Sequence, residues 1–221
     1  MQMKKYTMKK AFIAAAALAV FAVACNNGAT SEQAATTEKQ TAAEATGQNF
    51  NIDTTASLVE WAGTKPIGTH TGTFHLSTGN FSVENGQLKA GSFTIDINSL
   101  NNLDMKAGEG KEKLEGHLKS ADFFDATKYP TAKFEITSVE PLANDSAATH
   151  QISGNLTLKD STKNVTFPAK VVVAENGVKA TAKFSIDRTQ WGLFYGNDKS
   201  LGDKFIRPEV DITLNIAANK L

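Results

Sequence analysis

The chain has 221 residues, with 23 basic against 23 acidic side chains, 41% hydrophobic residues and one cysteine. Balanced charge without a basic stripe excludes the usual electrostatic footprint of a nucleic-acid binder. A single thiol excludes an internal disulfide.

The first 24 residues read as an export signal rather than as part of the fold. Lys4, Lys5, Lys9 and Lys10 form a basic start, and Ala11 to Ala24 form an apolar stretch of about 14 residues. That is the length of a secretory h-region and too short to span a bilayer. It ends in Ala22-Val23-Ala24-Cys25, which resembles the lipobox of bacterial lipoproteins, although Ala22 stands where Leu is usual. The resemblance implies lipidation at Cys25; an ordinary cleaved signal with an incidental cysteine is the alternative. Removing the signal leaves 19 basic against 23 acidic residues, a mildly acidic mature chain.

Residues 25–49 follow as a lipidated cysteine and a tether. Asn26 to Gln48 is Ala, Thr, Glu, Gln, Ser, Asn and Gly with one Lys and no large apolar residue. Such a segment cannot bury enough surface to offset its ordering, so it is expected to be a coil reaching roughly 25–30 Å. Residues 50–221 then form one β-rich domain.

Its strand signals come at short, regular spacing. Leu58–Trp61 and Gly72–Leu76 begin it. Phe81–Val83 turns at Asn85-Gly86 into Leu88–Ile97, where Phe93, Ile95 and Ile97 share a face. Asn-Gly is a strong hairpin signal because both central positions need positive φ. Lys133–Val139 precedes a long alternating run. There Ile152, Gly154, Leu156 and Leu158 share a face, as do Val165, Phe167, Ala169, Val171 and Val173, and then Val178, Ala180, Ala182, Phe184 and Ile186. A period of two makes these strands with one apolar side. Arg207–Ala217 closes the chain with Val210, Ile212, Leu214 and Ile216 on one side. Eight or nine strands joined mostly by hairpins predict a largely antiparallel sheet that curls to bury its apolar face.

Two insertions break the rhythm. Leu100–Pro130 holds a short helix around Lys111–Leu118 and the aromatics Phe123, Phe124 and Tyr129. Arg188–Arg207 carries Trp191, Phe194 and Tyr195. Aromatic loops of this kind either cover an open barrel end as lids or plug it.

Motifs for catalysis are missing. The four histidines, His70, His75, His117 and His150, have no zinc-ligand spacing, and His70 and His75 fall on opposite faces of a strand. There is no nucleophile elbow, Walker loop or dinucleotide fingerprint. Asp122 and Asp125 flank aromatics and read as cap or turn residues. Neither metal, cofactor nor enzymatic activity is expected.

Several segments in order are similar to those of the YceI-like family of exported lipid-binding proteins. They are VEWAGTKPIGTHTGTF (Val59–Phe74), GSFTIDINSL (Gly91–Leu100), HLKSADFFDATKYPTAKF (His117–Phe134), ISGNLTLKDSTKNVTFP (Ile152–Pro168) and FSIDRTQWG (Phe184–Gly192). One departure is at Lys65, near which many members carry Ser-His, so no role of that His transfers. The resemblance implies an all-β fold, a lipocalin-like extended antiparallel β-barrel of about eight strands, with a short helix and aromatic loops at one end. It also implies a polyisoprenoid ligand, such as a quinone or prenyl carrier lipid, inside the barrel.

On that reading Phe93, Ile95, Phe134, Ile136, Leu156, Phe167, Val171, Phe184, Ile186, Ile212 and Leu214 face the cavity. His70, His117, Lys119 and Arg188 are candidates to meet a polar or pyrophosphate head; solvation of the rim is their plainer role. The expected setting is the cell envelope, lipid-anchored at Cys25 and facing the periplasm, since Asn26 follows with no acidic cluster. The oligomeric state stays open, a homodimer included. Two rival readings remain: a filled core that acts through protein partners in the envelope, and a lipid hydrolase or isomerase.

Overall fold

The computed structural model describes residues 31–143 and 147–220. The leader and Cys25 lie outside the described residues. Among the described residues there are eleven strands: β1 (Ala35–Glu38), β2 (Gln48–Ile52), β3 (Leu58–Lys65), β4 (Gly68–Glu84), β5 (Gln87–Asp96), β6 (Asn101–Asn102), β7 (Thr131–Pro141), β8 (His150–Leu158), β9 (Ser161–Val173), β10 (Gly177–Asp187) and β11 (Glu209–Lys220). One helix, α1 (Lys111–Lys119), stands where the sequence places it.

All the ladders between these strands are antiparallel. The order β9-β10-β11-β2-β4-β5-β7-β8 returns to β9, which closes an eight-stave barrel. The stave between β11 and β4 is made of two strands end to end, β2 and β3. Closure buries the apolar face that the alternation demanded and removes most free edges. The expected separate strands Gly72–Leu76 and Phe81–Val83 are parts of the single 17-residue β4, whose pairing with β5 shifts register between Leu76 and Thr78. Asn85 and Gly86 both take positive φ, 53° and 72°, as the β4–β5 hairpin requires.

The barrel has two unlike ends. Hairpin β4–β5 and the β9–β10 turn lie at the lower end. The β3–β4 turn and both long insertions lie at the upper end, the mouth.

The expected coil is a correction. From Ser31 to Glu38 the chain is part of the wall, and from there to Ala43 it crosses the outer face. β9 and β10 pair only from Val173–Val178 to Ala169–Ala182 and then part. Into that split β1 inserts, pairing with Thr166–Lys163 of β9. On its other side Ala34 N–H donates to Ser185 O at 2.8 Å and Ser185 N–H to Glu32 O at 2.9 Å. Composition reports apolar burial, whereas this segment is held by backbone hydrogen bonds to strands that would otherwise present bare edges.

Asn155 secures the next stretch. Its Oδ1 accepts the Gln40 N–H at 3.0 Å and its Nδ2 donates to Gln40 O at 2.7 Å. Asn164 Nδ2 also donates to Asn155 Oδ1, and both residues are fully buried beneath the segment. Asn155→Ala leaves these buried groups unpaired and is expected to cost about 1–3 kcal/mol. Hydrogen exchange should speed up at residues 35–43 while the barrel strands stay protected; unchanged exchange there would contradict this account.

Candidate functional site

The upper half of the barrel is hollow. A cavity of about 640 Å³ extends from the middle of the interior to the mouth. Folded interiors hold few voids larger than a water, so this volume is incompatible with a filled core. It lies within the size range of ligand pockets.

The floor is a belt of four phenylalanine rings. Phe93 stacks on Phe134 with centroids 5.2 Å apart, Phe134 meets Phe167 at 5.9 Å, and Phe167 stacks on Phe184 at 4.0 Å. The rings come from β5, β7, β9 and β10. Between β7 and β9 runs β8, and there Gly154 makes room: a Cβ at that position would sit 2.1 Å from Phe134 Cζ. Gly154→Ala is therefore expected to push the ring aside and cost about 1–3 kcal/mol by overpacking. Thermal unfolding checks the loss, and an unaltered midpoint would mean that the ring is not confined.

Above the belt the walls are apolar. Phe93, Ile95, Phe134, Leu156, Phe167, Phe184, Ile186, Ile212 and Leu214 line the cavity. Ile136 and Val171 do not. They point inward but lie beneath the belt, around a separate void of about 30 Å³. Alternation assigns a side chain to a face; it says nothing about height along the barrel.

Ionisable groups gather at the mouth. Lys65, His70, His117, Arg188, Asp203 and Lys204 line that end. His70 Nδ1–H donates to Asp104 Oδ2 at 2.8 Å, and Asp104 also accepts from Thr71 N–H and Asn102 Nδ2. Burial works to raise the Asp104 carboxyl, but these hydrogen bonds outweigh it and hold it below the usual carboxylate range. His117 bonds Asp122 Oδ2 at 3.0 Å and meets the rings of Phe123 and Tyr195 edge-on. Thus both histidines already have a carboxylate partner.

Helix α1 is fastened to the rim by Glu115, which accepts Asn102 N–H at 2.7 Å, and by Lys111, whose Nζ donates to Asn101 Oδ1 at 2.8 Å. That orientation turns Leu114, His117 and Leu118 toward the cavity. Lys119, one residue or about 100° further around the helix, does not line it. Its Nζ donates instead to Asn98 O at 2.8 Å, so the proposed head-group role of Lys119 is corrected to a loop fastening.

Arg188 lines the cavity and is buried. Its guanidinium donates to the main-chain carbonyls of Leu193, Ile206 and Arg207 and lies 5.9 Å from the Phe123 ring centroid. Burial lowers its pKa, and the nearby Asp187 carboxylate acts in the opposite direction. The loop 188–208 is thereby tied over the barrel end. Trp191 anchors the loop, fully buried, with Nε1–H donating to Leu156 O at 2.8 Å. Within the two insertions Trp191, Phe123 and Leu193 are buried, Phe194 is exposed, and the part-exposed Tyr195 packs on His117 and Phe123 at the cavity edge.

Trp61 is a wall residue that strand reading alone did not single out. Val59, Trp61 and Gly63 form one alternating row of β3 on the cavity. The Trp61 Nε1 is buried and has no hydrogen-bond partner among the described residues. No group of three His, Cys, Asp or Glu among the described residues has the geometry to hold a metal.

The sequence matches the family of the YceI-like domain over residues 50–218. A UPF0312 protein of Pseudomonas putida is 37% identical over 98 residues, covering 44% of this chain and 47% of that protein. A UPF0312 protein of Pseudomonas aeruginosa is 39% identical over 101 residues, covering 46% and 48% respectively. The chain spans about half the length of the curated relatives it matches. Among solved structures, Burkholderia cenocepacia BcnA superposes with a TM-score of 0.62 at 21% identity, covering 76% of this chain and 99% of that one. A polyisoprenoid binding domain from Saccharophagus degradans superposes with a TM-score of 0.57 at 16% identity, covering 78% and 98%. These two likenesses are likenesses of fold.

Proposed function

The chain belongs to the YceI-like family, and from that premise we propose that its barrel binds a polyisoprenoid lipid, tail inward and head at the mouth. The observation that carries this reading is the apolar cavity of about 640 Å³ whose ionisable groups are confined to one end. An amphipathic chain with one polar terminus matches that division. At the ~30 Å³ that a water-sized unit takes, the space holds at least about twenty carbon atoms. Burying that many contributes roughly 16 kcal/mol, enough to exceed an association cost of about 4–15 kcal/mol.

The head meets Arg188, His70 and His117 at the mouth. Arg188 has no carboxylate partner at hydrogen-bond distance, which favours an oxygen-rich or anionic head over a cationic one. Binding and carriage, rather than turnover, is the activity proposed. The envelope setting and lipid anchorage at Cys25 are part of the same proposal and rest on the leader sequence.

Mass spectrometry of organic extracts from gently purified protein should reveal a prenyl lipid in stoichiometric amount. Protein stripped of lipid should take up a long-chain prenyl quinone from detergent. Empty protein that also refuses the quinone would end this reading.

A further inference from the structure

Six large apolar side chains among the described residues are exposed: Ile67, Leu103, Val172, Phe194, Tyr195 and Leu201. All but Val172 belong to the mouth end. Ile67 is 69% exposed at the β3–β4 turn, Phe194 is 59% exposed, and Leu201 is 44% exposed in the short 3-10 segment Lys199–Lys204. Ile67 and Tyr195 also line the cavity, so the outer apolar surface runs without a break into the interior. The turns at the opposite end carry Glu84, Asn85, Gln87, Glu175 and Asn176 instead. Isolated exposed apolar residues need no explanation, but a cluster around one opening does.

The N-terminal segment selects the occupant. Ser31 is fastened to the outer wall near the mouth, its N–H donating to Asp211 Oδ1 at 3.1 Å, beside Ser185. Ser185 is two residues from the upper end of β10 and eight from its lower end. At about 3.4 Å per residue those distances are roughly 7 and 27 Å along the strand. Only five residues lie between Cys25 and Ser31, and the six steps from one to the other span at most about 22 Å. With the lipid on Cys25 proposed above, the mouth stays within reach of the bilayer surface, while the lower end lies beyond the reach of the linking residues.

We propose that the ring of Ile67, Phe194, Tyr195 and Leu201 is a bilayer-docking surface that seats the open end of the barrel in the membrane interface. Apolar side chains at that depth pack among acyl chains just below the headgroups. A ligand tail can then pass between bilayer and cavity without crossing water. The inference rests on the lipid-binding reading and adds an orientation to it.

The test uses the full chain, processed in a bacterial host, purified from its membranes and reconstituted into vesicles of phosphatidylethanolamine and phosphatidylglycerol. Phe194→Cys and, at the opposite end, Glu175→Cys each receive an environment-sensitive fluorophore, and the vesicles carry a lipid-borne quencher. Quenching should be at least about fourfold stronger at position 194 than at 175, as expected for a probe within 5–10 Å of the headgroup boundary. Adding Ile67→Ser and Leu201→Ser should remove the difference. Equal quenching at the two positions, or a chain that does not stay with the vesicles, overturns the docking proposal. So does burial of position 194 in a dimer, revealed by sedimentation. Prenyl-quinone uptake from detergent by the same preparation is measured alongside: uptake without docking refutes the surface alone, whereas lost uptake refutes the lipid-binding reading.

Discussion

Ala132→Trp is expected to weaken prenyl-lipid binding by 10- to 100-fold while leaving the barrel folded. Ala132 is the second residue of β7, is buried, and lies on the cavity wall paired with Ile95. An indole there projects into empty volume, so it meets fewer of the clashes that make overpacking costly in a filled core. What it removes is room for the tail. Each methylene kept from burial loses about 0.8 kcal/mol, so excluding two to four of them accounts for the whole predicted range. Titration with a fluorescent prenyl quinone measures the affinity, and circular dichroism checks the fold. Undiminished binding would mean that the tail does not occupy this chamber.

Arg188→Met should be the most destabilising single change at the mouth. Its side chain is 5% exposed and serves three carbonyls, those of Leu193, Ile206 and Arg207, at both ends of the 188–208 loop. Methionine fills similar space but donates nothing, leaving three partly enclosed acceptors unpaired. At about 1–3 kcal/mol for each group so stranded, the loss is about 3–5 kcal/mol, because water reaches some of them once the loop loosens. For a domain of this size that corresponds to a fall of about 10 °C or more in Tm. Hydrogen exchange should accelerate from Leu193 to Arg207, and Lys119→Met should leave both readouts nearly unchanged. If Arg188→Met unfolds normally but loses only affinity, the side chain is a head-group ligand and not the tie of the loop.

The two substitutions act on parts of the protein that were unequally legible. The row of Leu156, Phe167, Phe184 and Ile186 was readable because period-two alternation is a local property: each residue's face follows from its neighbours alone. The same holds for the Asn85-Gly86 hairpin and for α1, whose boundaries differ from expectation by one residue. Arg188 was singled out as a candidate for the ligand head, yet its three carbonyl partners lie five to nineteen positions away, on a loop with no periodic pattern. Lys119 was misassigned for a similar reason, since the rotation of α1 is set by Asn101 and Asn102 on a different element.

Family membership, the antiparallel barrel class and most of the inward rows thus follow from the linear pattern of residues, because they depend on spacing and on motifs in order. Three features do not. The division of the interior by the Phe93–Phe134–Phe167–Phe184 belt depends on how strands are staggered, and this stagger separates Ile136 and Val171 from the wall they share in sequence. The burial of Asn155 and Asn164 depends on a segment more than a hundred residues away. The seating of β1 in the split between β9 and β10 depends on backbone edges left unpaired by closure. Composition counts side chains that can be buried; the pairing of backbone edges emerges only when distant strands are brought side by side.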